Sequence, residues 1–283
     1  MTVASQPEND SRAPQLTVPQ AIANLKQTED TSDRYYAAWW LGRFRVEDPE
    51  AILALLEALQ DENDRAPDGG FPLRRNAARA LGKVGSDTAM VEQVVSDLID
   101  CLACADYYVR EAAAQSLEKL GAQKSIEPLR ALLAGGLETA VEVPGKPHLV
   151  QPYNAILEAL GGLGAQQKSP LLMETIEPFL AHEMPQVKNA AARAMYQLTD
   201  NEEYLQVLIA TLACDDLQLR RSALLDLGEL GYLPAAEKIS NTLAENSIKL
   251  ISLKGVLEKE IHDAKTLTSK SACEVMALMD SLL

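Results

Sequence analysis

Apolar positions recur along this chain with the period of a helix, in blocks that resemble one another. RYYAAWWLGRF from Arg34, RRNAARALGKVG from Arg74 and REAAAQSLEKLG from Arg110 share one template. YNAILEALGGLG from Tyr153, KNAAARAMYQLT from Lys188 and RRSALLDLGELG from Arg220 continue it, and KLISLKGVLEKE from Lys249 is a degraded copy. Small or apolar residues stand at offsets three, seven and ten, as in Ala77, Leu81 and Val84 or Ala113, Leu117 and Leu120. That spacing lies on one stripe of a 3.6-residue helix. Each block follows another amphipathic stretch, such as DPEAILALLEALQ from Asp48.

Helix, turn, helix is therefore the unit, recurring roughly every 30 to 40 residues. One such pair cannot bury its stripe alone, whereas stacked pairs can. The expectation is an all-α, HEAT-like α-solenoid: a superhelical crescent of about seven helix pairs over residues 15–260. Residues 1–14 are polar and read as a disordered tail. Residues 261–283 read as a C-terminal helical cap or partner-binding segment. The closing Gly85, Gly121, Gly164 and Gly231 suit left-handed caps. Two insertions, 61–72 and 134–152, interrupt the period, and such loops often carry function.

Composition supports helix: hydrophobic residues make up 47% while aromatics are only 5%, so Ala and Leu rather than β-formers fill the core. A net charge of −15 disfavours nucleic acid and anionic lipid as partners. The N-terminus shows no signal-peptide pattern and no window is apolar enough to span a bilayer. A cytoplasmic protein without a membrane partner is expected. The four cysteines include one CxxC, Cys101 and Cys104, with no second pair or nearby His to complete a zinc set, so packed thiols and no metal are expected.

Aligned, the blocks separate packing columns from exposed ones. The first column is Arg34, Arg74, Arg110, Lys188, Arg220 and Lys249, suited to pairing with acids or helix ends of adjoining repeats. Trp40 falls in a column of small residues and reads as core. The second and sixth columns share one helical face and read as the solvent-lined inner wall. They are mostly polar, but in the first block they hold Tyr35 and Trp39, next to Arg75 and Arg79 of the second. One further turn adds Arg43, Lys83 and Lys119. Aromatics beside guanidinium forks suit a flat, conjugated molecule bearing carboxylates. Large side chains packing a terminal repeat explain Tyr35 and Trp39 equally well. Asp106-Tyr107-Tyr108 either extends the wall or packs between helices.

Catalytic motifs are missing. GGLGAQQKS from Gly161 lacks the glycine before its lysine that a phosphate loop needs and lies between helices. His148, His182 and His262 are scattered.

RYYAAWWLGRFRV (Arg34 to Val46) and GGFPLRRNAARALGKVG (Gly69 to Gly85) resemble the E/F-type phycobilin lyases of cyanobacteria and red algae, on the E side of that family. The likeness runs from about Thr17 to Leu257. It implies one subunit of a heterodimer, paired with an F-type lyase subunit. Such a pair attaches phycocyanobilin, a substrate and not a cofactor, through a thioether to a cysteine of the phycocyanin alpha chain. The acceptor then supplies the nucleophile, and the lyase holds and orients the bilin. The resemblance gives Tyr35 and Trp39 to ring stacking and Arg43, Arg75 and Arg79 to the propionates. It leaves the proton donor open among Tyr35, Glu111 and His148. The NHCQGN motif of the isomerising F-type subunit is not in the sequence. An E-type subunit acting on phycoerythrocyanin or phycoerythrin, or a non-catalytic HEAT adaptor or chaperone for a protein partner, are the alternatives.

Overall fold

The computed structural model describes residues 16–85, 89–265 and 269–283; the tail expected at 1–14 lies outside them. Among the described residues, seven helix pairs follow in order. They are α1 (Val18–Lys26) with α2 (Thr31–Arg43), α3 (Pro49–Leu59) with α4 (Pro72–Val84), and α5 (Val91–Cys101) with α6 (Tyr107–Lys119). Next, α7 (Ile126–Ala131) leads through the short α8 (Gly136–Thr139) to α9 (Tyr153–Gly164). Then come α10 (Pro170–Ile176) with α11 (Pro185–Thr199), α12 (Leu205–Thr211) with α13 (Leu217–Leu230), and α14 (Ala236–Asn241) with α15 (Asn246–Ala264). The last helix, α16 (Lys270–Asp280), folds back on α14 and α15. Helix α15 runs unbroken past residue 260.

Local chemistry starts the helices where the pattern needs them. Asp30, Asp48, Asp106 and Asp216 cap α2, α3, α6 and α13, each accepting a hydrogen bond from a first-turn N–H. Gly121 and Gly231 take the left-handed conformation expected after a helix. Gly85 and Gly164 do not. Gly85 stays right-handed at φ −87°, and Gly164 lies within α9, packed against Leu172 and Leu198.

The second helix of each pair packs on the next throughout, α2 on α4, α4 on α6 and so on to α15, whereas the first helices touch mainly at the N-terminal end. The stack therefore bends with its second helices on the tighter, inner side. Small residues make this approach possible. A Cβ on Gly42 would stand 2.7 Å from the Ala80 Cα, one on Gly82 2.8 Å from the Ser116 Cα, and one on Gly161 2.5 Å from the Ala194 Cα. Trp40, as expected, is core.

The first-column cations mostly serve packing. Arg34 bridges Asp61 (2.9 Å) and Asp64 (2.5 Å) and donates to the Leu25 carbonyl at the end of α1. Arg110 donates to the carbonyls of Cys104 and Val150, Arg220 to those of Cys214 and Leu243, and Lys249 to that of Ser240. Arg34, Arg110 and Arg220 thus tie the end of one helix to the next pair, and Lys249 ties α15 to α14 within its own pair.

The apolar core divides into two clusters, one ending at Leu198 of α11 and one beginning at Leu205 of α12. Charge crosses that seam. The buried Arg193 of α11 donates to Asp226 (2.6 Å) and Glu229 (2.8 Å) of α13, and Glu118 stands 3.9 Å away. Asn189 is buried as well, so at this repeat the columns expected to be open to solvent are closed.

Candidate functional site

The exposed face of α2, α4 and α6 gathers most of the residues singled out from the sequence. Trp39, 48% exposed, stacks on Tyr36, with ring centroids 5.5 Å apart and planes 29° from parallel. Tyr35 does not join them. It is half-buried against the core beside Asp61 and Asp64, where burial, then the charge of Asp64, raises its phenol pKa. The i,i+3 partner of Trp39 takes the place that the sequence pattern gave to the i,i+4 residue; both spacings are neighbours on a helix.

Next to the rings is a cationic group. Lys83 lies near Lys119, Arg43, Arg79 and Arg45, and burial together with these charges lowers its pKa. Arg79 reaches Glu111 across α4 and α6 at 3.7 Å. Arg75 lies over the Tyr108 ring, 4.3 Å from its centroid. Burial raises the carboxyl pKa of Glu111 against the opposing pull of Arg79 and Arg75. Trp39, Arg43, Arg75, Arg79 and Glu111 thus share one wall.

His148 lies at the edge of that wall. Its ring stacks on Tyr107 at 4.3 Å and 16° and meets Tyr108 edge-on at 5.8 Å. Burial raises the Tyr107 hydroxyl to about 12, helped by the neighbouring Glu111 and Tyr108. Tyr107 and Tyr108 hence do both things that the sequence left open: they pack at the start of α6 and they extend the wall. Their meeting with a histidine some 40 residues on has no signal in local periodicity, since it depends on how the second insertion folds back.

Cys101 is buried, and burial pushes its thiol up to about 11. Among the described residues no group of His, Cys, Asp and Glu is arranged to hold a metal ion, and no helix is long and apolar enough to cross a membrane.

The HEAT repeat family matches residues 18–91 and 64–140. The phycocyanobilin lyase subunit alpha of Nostoc sp. PCC 7120 is 57% identical, over 95% of this chain and 95% of its own. That of Picosynechococcus sp. PCC 7002 is 55% identical over 94% and 96%. The bilin biosynthesis protein PecE of Mastigocladus laminosus is 40% identical over 92% and 89%. A solved structure of the complex of CpcE and CpcF of phycocyanin lyase from Nostoc sp. PCC 7120 superposes with a TM-score of 0.84 at 54% identity, covering all of both chains. The cation-lined aromatic wall thus sits on a scaffold shared, nearly end to end, with bilin-handling proteins, and the chain belongs to the family of phycocyanobilin lyase alpha subunits.

Proposed function

We propose that this chain is the E-type subunit of a heterodimeric lyase that attaches phycocyanobilin to a cysteine of the phycocyanin alpha chain. One observation carries the reading at the level of chemistry: in a chain of net charge −15, the exposed face of α2, α4 and α6 concentrates Arg43, Arg75, Arg79 and Lys83 beside the Trp39–Tyr36 pair. An extended tetrapyrrole with two propionates is a ligand of matching shape and charge. Pairing with an F-type subunit is supported by the solved relative, which is a complex of two different chains.

The acceptor thiolate adds to the ethylidene carbon of the bilin, forming the C–S bond, and the electron pair displaced onto the adjacent ring carbon takes up a proton. The lyase has to hold the bilin still and provide that proton. Among Tyr35, Glu111 and His148, Glu111 fits the donor's place best. It is half-buried on the wall, its pKa is raised, and Arg75 and Arg79 flank it. Tyr35 stands beside Asp64 and Asp61, whose charges oppose its ionisation, and His148 is stacked face and edge on two tyrosines.

The test is co-expression of this chain with an F-type partner, the apo phycocyanin alpha chain and a source of phycocyanobilin. Covalent attachment well above the level without lyase is expected. Attachment no higher than in that control defeats the proposal.

A further inference from the structure

The two insertions that break the repeat come together at the N-terminus of α6. Asp106, the cap of α6, accepts hydrogen bonds from the N–H of Tyr108 (2.8 Å) and from that of Phe71 in the first insertion (2.6 Å). Gly70 permits this contact, since a Cβ there would lie 3.1 Å from the Asp106 carboxylate. From the other side Arg110 holds the second insertion through the Val150 carbonyl (2.8 Å) and the Gln151 side chain (2.9 Å). That insertion is no slack loop. Its two arms meet in an isolated antiparallel bridge between Glu142 and Leu149, the Val143 N–H donates to the His148 carbonyl, and the His182 ring reaches the Ala140 carbonyl at 3.0 Å.

Between the insertions lies a cavity of about 540 Å³ whose wall carries the rings of Phe71, Tyr107, Tyr108 and His148. Its charged groups are three cations, Arg65, Arg110 and Lys146, and two carboxylates, Asp68 and Asp106, which accept from the backbone N–H groups of Gly70, Phe71 and Tyr108. Arg65 covers the Phe71 ring at 4.4 Å, and Arg75, which covers Tyr108 at 4.3 Å, connects the cavity to the wall described above. Tyr108 and Lys119 lie at opposite ends of α6, about 16 Å apart along its axis at 1.5 Å per residue. The ring-lined cavity therefore stands at one edge of the cationic wall and Lys83 with Lys119 at the other.

We infer that this cavity is a second bilin subsite. It takes one terminal pyrrole ring against Tyr107 and His148, so that the tetrapyrrole lies across α4 and α6 with its propionates on Arg75 and Arg79. The inference rests on the bilin-lyase reading and adds to it a clamp made of the two insertions. Planar stacking holds the ring, and the three cations of the wall outnumber its two carboxylates, both of which are hydrogen-bonded to backbone N–H groups.

The experiment titrates phycocyanobilin into the heterodimer formed with an F-type partner, followed by visible absorption and induced circular dichroism. Wild type is compared with His148→Ala, Tyr107→Leu and Lys146→Gln. His148 belongs to an insertion, so its variant leaves the helix ladder intact; far-UV circular dichroism checks both aromatic variants. The expected result is a dissociation constant raised about tenfold by each aromatic substitution, with an altered induced signal. Lys146→Gln weakens binding at low salt and little at high salt. Wild-type binding that both aromatic variants retain within about twofold overturns the subsite while leaving the lyase reading intact. A wild-type heterodimer that leaves the bilin spectrum unchanged overturns both.

Discussion

Trp39 stacks on Tyr36 in the first repeat, at a position where the later repeats carry Arg79, Gln115, Glu158, Arg193 and Leu225. Nearly half of the indole is open, so its packing contributes little to the core that Trp40, one residue on, helps to fill. Replacing Trp39 by Ala is therefore expected to weaken phycocyanobilin binding by about tenfold, the scale of one lost stacking partner, while helicity stays near wild type. Absorption titration and far-UV circular dichroism check the two halves. A variant that unfolds, or that binds as wild type does, removes Trp39 from the site.

The architecture was readable because a repeat states its fold several times over. Arg34, Arg74 and Arg110 open successive copies, and a misread copy is corrected by its neighbours. What could not be read depends on contacts between elements distant in sequence. Tyr35 and Tyr36 are both neighbours of Trp39 on a helix; the first insertion decides between them by bringing Asp61 and Asp64 to the Tyr35 side. His148 reaches Tyr107 only because Arg110 and His182 hold the second insertion in place. Likewise, Gly164 looked like a cap because it closes the block; the close packing of Leu172 and Leu198 calls for its missing side chain within the helix.

Glu111 offers a kinetic test of proton delivery. Changing it to Gln keeps the shape and a hydrogen-bonding group next to Arg79 but removes the acidic proton. Lyase turnover is expected to fall by about a hundredfold or more, with bilin affinity nearly unchanged. Because burial raises this carboxyl pKa, the wild-type rate declines as pH rises through that raised value, and the Gln variant lacks this decline. Stopped-time attachment assays over a pH series decide it. Equal loss of affinity and turnover would make Glu111 a binding group instead.

The tight inner ladder yields a prediction about stability. A valine at Gly82 would have to enter the space of the Ser116 backbone, since even a Cβ there stands 2.8 Å from its Cα, and α4 and α6 would separate. Gly82→Val is expected to cost about 2 kcal/mol or more. Gly162→Ala is the contrast. The three atoms nearest its Cβ all belong to the Glu118 side chain, whose contact with Arg193 is long at 3.9 Å and can yield, and Ala favours the helix by about 0.5–1 kcal/mol over Gly. Chemical denaturation of the two variants should therefore move the midpoint strongly down in the first and little in the second.

At the seam between the two core clusters, Glu118, Glu158, Asp226 and Glu229 surround the single Arg193. One guanidinium cannot neutralise four carboxylates. Burial, then the charge of Asp226, pushes the Glu158 carboxyl up from its ordinary 4.5 to about 8. The sign follows from linkage: a raised carboxyl holds its proton more tightly in the folded chain than in the unfolded one. Stability therefore declines as pH rises from the ordinary carboxylate range through about 8. Glu158→Gln keeps the proton-bearing shape at every pH and leaves Arg193 its contacts with Asp226 and Glu229. Its melting temperature should match wild type near pH 5 and exceed it by a few degrees above pH 8. Thermal melts at the two pH values suffice. A variant less stable than wild type at high pH would mean that Glu158 is ionised in the fold and that Arg193 depends on its charge.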